Sequence, residues 1–290
     1  MSKIARLKQI SRLVCVIALL APGTLLADNL TELWSIKNTF VMPESAAFDG
    51  ERQQIFVSNV NGYAKDDNGF VSRISADGEE VELRWLTGLH SPTGMAVHDG
   101  LLYIADFDAL VIADIEQRKV RNRIPAPDAR PVLNDVAISS DGQVFVSGSA
   151  SRSIYFLEGD RLLVWKHDKQ RLEGANGLLV QDQQLVHGGL LWSVFDLQTK
   201  ELVSGFKKPD ARIVDVDGIT TIGCGIYIVT LIDDPRLWRV NADGSSQPLS
   251  ELAIDGIDIQ YHMGKLYVPT VGGGLSVFRL ADHSCGPESD

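Results

Sequence analysis

Cysteine is scarce in this 290-residue chain, and its three copies, Cys15, Cys224 and Cys285, form no Cys-x-x-Cys pair. A zinc-ribbon or thioredoxin-type site is therefore excluded, as is a disulfide-stapled mini-protein. The signatures of several large enzyme classes are missing too. There is no Gly-x-Ser-x-Gly, no His-Glu-x-x-His and no phosphate-binding Gly-x-x-x-x-Gly-Lys-Ser/Thr, which argues against serine-hydrolase, zincin and nucleotide chemistry. Positive charge is in deficit, with 27 Lys and Arg against 38 Asp and Glu and a formal net charge of −11. A protein that tracks phosphates needs the opposite balance, so no nucleic-acid partner is expected, whereas cations are favoured. Otherwise the composition, 44% hydrophobic and 22% charged, is that of a globular protein with ample material for a core.

The one apolar run of any length, Leu13 to Ala21, follows Lys3, Arg6, Lys8 and Arg12 and precedes Leu25-Leu26-Ala27. That order is a secretory leader with cleavage after Ala27, too short for a comfortable membrane span. The chain accordingly divides into a signal peptide, 1–27, and one domain, 28–290, expected in the periplasm or outside the cell and off the membrane once the leader is cut. Cleavage takes away four positive charges and no acidic ones, moving the formal net charge from −11 to −15. In such an oxidising compartment Cys224 and Cys285 could close a disulfide; a buried Cys224 with a free Cys285 is the other reading.

What the chain does contain is a repeat. A polar residue and a small residue open a short apolar run at Pro43-Glu44-Ser45-Ala46, Pro92-Thr93-Gly94-Met95, Leu133-Asn134-Asp135-Val136, Ala175-Asn176-Gly177-Leu178, Val216-Asp217-Gly218-Ile219 and Gly256-Ile257-Asp258-Ile259. The second residues of these phrases are 49, 41, 42, 41 and 40 positions apart. Each run leads into a β-branched and aromatic second strand, such as Gln54 to Val57 or Gln184 to His187, then a third, such as Phe70 to Ile74 or Leu191 to Leu197. Turn residues at 76–78, 158–160, 198–200 and 242–244 announce a fourth strand after each. Four strands per repeat and six repeats make an all-β fold, a six-bladed β-propeller. The sixth repeat has no fourth strand of its own, and Thr31-Glu32-Leu33-Trp34-Ser35 resembles Val81 to Trp85, so the N-terminal strand is expected to close the last blade. The surplus of the first repeat falls in Val60 to Gly69, a loop expected over the channel mouth.

First strands of a propeller line its channel, so equivalent positions fall in a ring: Glu44, Thr93, Asn134, Asn176, Asp217 and Ile257. Four of the six are hard oxygen donors, which suits Ca²⁺ better than Mg²⁺ or Zn²⁺, although another divalent cation remains open. Asn134-Asp135, Asn176-Gly177 and Asp217-Gly218 are also good turn dipeptides. Glu44 is not a turn former, and its carboxylate facing Asp217 calls for a cation or a proton. Second-strand ends give an outer ring of Asn59, Asp106, Ser147, His187 and Thr270. His187 is an alternative base by its ordinary pKa, and Asn59, Asp106, Thr93 and Asn134 are candidate substrate contacts.

Glu in the first repeat, Asn in the third and fourth and Asp in the fifth resemble the senescence-marker-protein/gluconolactonase/regucalcin family of six-bladed propellers. The resemblance implies that Glu44, Asn176 and Asp217 hold a divalent cation and that Asn134 is a further ligand or substrate contact. It also implies that a small lactone or ester is hydrolysed, with Asp217 activating the attacking water. Sugar lactonases of that family carry Arg two residues before the third-repeat Asn. Here that residue is Val132, which points away from sugar lactones, and Thr93 and Ile257 leave one side of the mouth more apolar. The alternative is a propeller that uses its face for recognition without catalysis.

Overall fold

The computed structural model describes residues 30–204 and 207–281. The leader and Cys285 lie outside the described residues. Cys224 is disulfide-bonded. The described residues contain no helix long and apolar enough to cross a membrane.

Every element is a strand, and the strands form six antiparallel sheets arranged as blades. Blade one is β2 (Pro43–Asp49), β3 (Gln54–Asn59), β4 (Gly69–Ser75) and β5 (Val81–Leu89), and blade two β6 (Pro92–His98), β7 (Leu101–Asp106), β8 (Ala109–Asp114) and β9 (Lys119–Pro125). Blade three is β10 (Leu133–Ile138), β11 (Val144–Gly148), β12 (Ser153–Glu158) and β13 (Arg161–His167). Blade four has β14 (Leu178–Gln181), β15 (Gln184–His187) and β16 (Ser193–Asp196); blade five has β17 (Val216–Gly223), β18 (Ile226–Leu231), β19 (Asp234–Val240) and β20 (Ser246–Pro248). Blade six is β21 (Gln260–His262), β22 (Lys265–Thr270) and β23 (Gly274–Leu280), completed by β1 (Leu30–Ile36), which pairs with β23 from Leu30↔Leu280 to Ile36↔Leu275. The expected closure is therefore present, and it removes the open sheet edge that the ring would otherwise have.

Blade four departs from the four-strand expectation. After the turn at 198–200 the chain touches β16 at one bridge, Phe195↔Leu202, and at Val203 N–H to Val194 C=O (2.9 Å) before leaving. Glu201 and Lys200 are polar and no β-branched run follows them, so the turn signal is present without a strand behind it.

Apolar side chains collect between blades. Phe56 and Val71 meet Leu102 and Ile104 between blades one and two, Leu110 and Tyr103 meet Val146 and Tyr155 between two and three, and Ile55 and Val57 meet Tyr267 and Leu275 where blades six and one close. Inner strands such as β3, β8 and β11 are buried on both faces, whereas the outer strands β5, β9 and β13 expose much of their length. Around the axis the first strands come so close that a side chain would not fit. A Cβ on Gly94 would stand 2.3 Å from Asp135 Oδ1, on Gly177 2.4 Å from the Asp217 carbonyl and on Gly218 2.4 Å from Asp258 Oδ1. These glycines serve close approach of neighbouring blades, which for Gly177 and Gly218 answers the alternative of a plain turn dipeptide.

Candidate active site in the channel

The site is made by one local distortion, repeated. In blade one the ladder passes from Pro43↔Asn59 to Ala46↔Val57, three residues against two. The same extra residue occurs between Pro92 and Met95, Leu133 and Val136, and Val216 and Ile219. Such a bulge leaves backbone groups unpaired and re-aims side chains. Hydroxyls of the second strands satisfy what the ladder cannot: Ser58 Oγ accepts from Ser45 N–H (2.8 Å), Ser147 Oγ from Asp135 N–H (2.9 Å) and Thr230 Oγ1 from Gly218 N–H (2.8 Å). In blade two Ala105 has no hydroxyl, and Thr93 Oγ1 instead lies 3.2 Å from the carbonyls of Ala105 and Leu133. Ahead of the bulges stand residues with left-handed backbone, Met42, Val132, Asp215 and Asp255 (φ 47, 48, 50 and 53°). A β-branched Val132 there is strained, of order 1 kcal/mol or more.

At the axis six side chains line one small, closely packed pocket: Glu44, Asn134, Asp135, Asn176, Asp217 and Asp258. The four donors expected from the repeat, Glu44, Asn134, Asn176 and Asp217, thus share one site. Thr93 and Ile257 do not line it, and Asp135 and Asp258, one residue further along their strands, do. The signal for this pair lies in the repeat itself, whose third residues read Ser45, Gly94, Asp135, Gly177, Gly218, Asp258. Two carboxylates stand half a ring apart, and small residues fill the rest.

Each added carboxylate ties two blades together. Asp135 Oδ2 accepts Leu178 N–H of blade four (2.7 Å), while its Oδ1 accepts Val136 N–H (2.7 Å). Asp258 Oδ1 accepts Ile259 N–H (2.7 Å), and the Ser45 hydroxyl of blade one bonds the same carboxyl. Both also line a larger cavity of ≈ 300 Å³ with Met95, Val136, Leu178 and Ile219, further down the channel.

Electrostatics follow from four carboxyls in a confined space. Burial is the first cause in every case, and mutual repulsion adds to it. Glu44 is raised well above the usual carboxylate range by burial and by Asp217, Asp258 and Asp135. Asp135 is raised well above it by burial and Asp258, against two backbone N–H bonds that pull it down. Asp217 is pushed up to about 7 by burial and Asp258, with the Asn176 Nδ2 donating to its Oδ1 at 2.6 Å as the opposing influence. Asp258 rises to about 6. Near neutral pH the pocket therefore retains protons unless a cation takes their place.

The donor set fits a hard divalent cation: carboxylate and amide oxygens, no sulfur and no imidazole. As the side chains stand, no group of three or more His, Cys, Asp or Glu among the described residues is close enough to hold one ion, so the amide oxygens of Asn134 and Asn176 are needed in any such set.

The outer ring is a different matter. Asp106, wholly buried, accepts from His90 N–H, Ser91 N–H and Arg123 Nη1 (3.1, 2.8 and 2.6 Å). Asn59, also wholly buried, accepts Val41 N–H and donates to the Val57 carbonyl and Ser72 Oγ. Both spend their polar atoms on structure, which corrects their reading as substrate contacts. His187 closes β15 fully buried and does not line the pocket. Burial lowers its pKa to about 3, with the Leu191 backbone opposing, so its ring is neutral. The charge-carrying base role expected from an ordinary pKa lacks its basis here. The Val60–Gly69 loop is tied to the start of blade two, where Ser91 Oγ accepts the Ala64 N–H (3.0 Å) and lies 2.8 Å from the Gly62 carbonyl.

No protein-family profile matches the chain, and no curated protein does. Solved structures do. The chain is similar to a gluconolactonase of Xanthomonas campestris (TM-score 0.67, 15% identity, 87% of this chain and 89% of that one). It is similar to a putative gluconolactonase from a structural-genomics programme (TM-score 0.63, 16% identity, 88% and 94%) and to virginiamycin B lyase of Staphylococcus aureus (TM-score 0.62, 11% identity, 87% and 99%). At these identities the shared property is the fold alone, and in this chain that fold is a β-propeller of six blades.

Proposed function

We propose that this protein is a divalent-cation-dependent hydrolase of a small lactone or ester, with Ca²⁺ as the cation and Glu44, Asn134, Asn176 and Asp217 as the residues that hold it. The observation that carries the reading is the convergence of four carboxyls and two amides on one small pocket of the channel. A buried like-charge cluster of this size destabilises a fold unless it binds something positive. The structural likeness to gluconolactonases supports the substrate class. Export through the 1–27 leader is part of the same reading.

A bound divalent cation supplies a Lewis acid for the substrate carbonyl. The chain supplies the rest. Asn176 holds Asp217 Oδ1 in place at 2.6 Å, and Asp217 is the carboxylate proposed to take the proton of the attacking water. Asn134 offers an amide N–H to oxygen charge that develops on the substrate, a contribution largest in a site that excludes water. Asp135 and Asp258 stay bonded to Leu178, Ile259 and Ser45, keeping blades three and four, and six and one, in register beneath the pocket.

The test is calorimetric titration of residues 28–290 with Ca²⁺ beside Glu44→Gln and Asp217→Asn, followed by a lactone and aryl-ester panel with and without chelator. Stoichiometric binding lost in both variants, with chelator-sensitive turnover, is the expected outcome. Binding without turnover on any substrate would return the protein to the recognition class.

A further inference from the structure

A further cavity, of ≈ 330 Å³, opens in blade five. Its lining comes from that blade and from the segment that leads into it, and it shares no residue with the axial pocket. Asp215 and Asp217 stand two positions apart with the wholly buried Val216 between them, so one carboxyl lines the cavity and the other lines the axis. Much of the wall is apolar: Leu231 and Trp238 are buried, Pro248 lies with them, and Val214 is 49% exposed. The Asp215 carbonyl accepts the Ile232 N–H at 3.0 Å, which joins two of the segments that form the cavity.

Six charged groups surround this apolar wall, and four of them are spent on each other. Arg212 gives Nε and Nη2 to the two oxygens of Asp210 (3.2 and 3.0 Å), and Arg236 does the same with Asp234 (2.9 and 2.7 Å). Both guanidiniums also lie over Trp238, each 5.1 Å from its ring centroid. Forked pairs of this kind fix direction as well as charge, and the Arg236 fork pulls the Asp234 pKa down to about 2. Asp215 and Asp233 are left over. Among the described residues neither carboxylate has a hydrogen bond or an ion pair. Two guanidiniums against four carboxylates therefore leave two negative charges beside an apolar surface. Such a rim repels an anion and offers a neutral ligand nothing for its charge, whereas a cation with an apolar body complements both surfaces.

We infer that this cavity is a binding site for a small organic cation, an ammonium group carried on an aryl or alkyl body. The body packs on Val214, Leu231 and Pro248, and the ammonium donates to Asp215 and Asp233. The volume lies at the lower end of the range for small-ligand pockets, about 300 to 1,000 Å³. The negative charge of the whole chain, −11, favours the approach of a cation from solution. No axial residue takes part, so the inference stands or falls apart from the hydrolase reading.

The experiment titrates the 28–290 protein by calorimetry with three probes of similar shape: 2-phenylethylammonium, 2-phenylethanol and 3-phenylpropionate. The ammonium should bind one per chain, the alcohol about tenfold more weakly and the propionate not at all. Added salt should weaken the ammonium alone. Asp215→Asn and Asp233→Asn should each raise the ammonium Kd about two- to fivefold, and the double variant about tenfold, to the level of the alcohol. Asn tolerates the left-handed backbone at position 215 (φ 50°), and Asp233 is exposed, so these variants should fold. A double variant that binds the ammonium as tightly as wild type overturns the inference. A propionate that binds as tightly as the ammonium does so too, as does a wild type that takes up no ammonium at about 10 mM. Asp217→Asn serves as the control: an unchanged ammonium Kd upholds the blade-five cavity, and lost binding places the ligand at the axis and removes it.

Discussion

Replacing Asp217 by Asn separates the two things its carboxyl does, because the substitution keeps the shape and removes the charge. Without cation, Asp217 binds its proton with a pKa of about 7 in the folded protein against 3.8 when free. The sign follows directly. Between these values the folded chain holds more protons than the unfolded one, so the contribution of this group is full below pH 3.8 and is lost as pH rises through 7. At pH 5 Asp217 is still protonated and resembles Asn. By pH 8 it is ionised beside Asp258. The change over that span is about two pKa units, about 2 to 3 kcal/mol once the water that reaches this partly buried group is allowed for. In a domain of this size that is a shift of roughly 4–12 °C in Tm. In chelator, the advantage of Asp217→Asn over wild type should therefore grow by that amount between pH 5 and pH 8. Groups common to both proteins, such as the buried neutral His187, cancel in the comparison. Ca²⁺ should close the gap: at a hundredfold excess over its Kd it stabilises the wild type by about 2.7 kcal/mol and the variant by little. Thermal melts at pH 5 and 8, with chelator and with Ca²⁺, decide the matter. An Asn variant less stable than wild type at pH 8 in chelator, or a difference that does not change with pH, would refute the account of a crowded carboxyl pocket.

Other consequences are open to the same methods. Asp106→Ala leaves the His90 and Ser91 N–H groups without their acceptor and should cost about 1 to 3 kcal/mol. Whatever folded protein remains should keep its KM, whereas a raised KM would restore Asp106 as a substrate contact. Gly218→Ala drives a methyl to 2.4 Å from Asp258 Oδ1, and urea denaturation should show a loss of about 1 to 3 kcal/mol. Val132→Asn replaces a β-branched residue at φ 48° by one that tolerates it and should raise stability by roughly 1 kcal/mol, readable in the same denaturation curve. Deleting residues 28–36 removes β1 and leaves β23 unpaired on its outer side, so the truncated chain should lose cooperative unfolding.

The repeat makes blade number, strand order and closure legible in the sequence, because spacing near forty residues and period-two apolar runs report backbone geometry that every blade shares. The ring of Glu44, Asn134, Asn176 and Asp217 is legible for the same reason: equal positions in equal blades fall at one depth. The limits of the repeat are equally physical. A strand that begins straight sends alternate side chains to opposite faces, so Thr93 and Ile257 belong with the ring on counting alone. The bulge at the start of β2, β6, β10 and β17 breaks that alternation, admits Asp135 to the pocket and leaves Thr93 among backbone carbonyls. Nothing in a single sequence marks a bulge whose cause is a hydroxyl on the next strand, as with Ser58, Ser147 and Thr230. The fates of Asp106, Asn59 and His187 are likewise beyond composition and spacing. Arg123 reaches Asp106 from two strands away, Val41 donates to Asn59 from the preceding turn, and His187 owes its low pKa to surrounding apolar groups. The local pattern of residues determined that a six-bladed ring would form and which strands would face its axis. Long-range contacts between strands and between blades decided which polar groups are left over at the axis for chemistry.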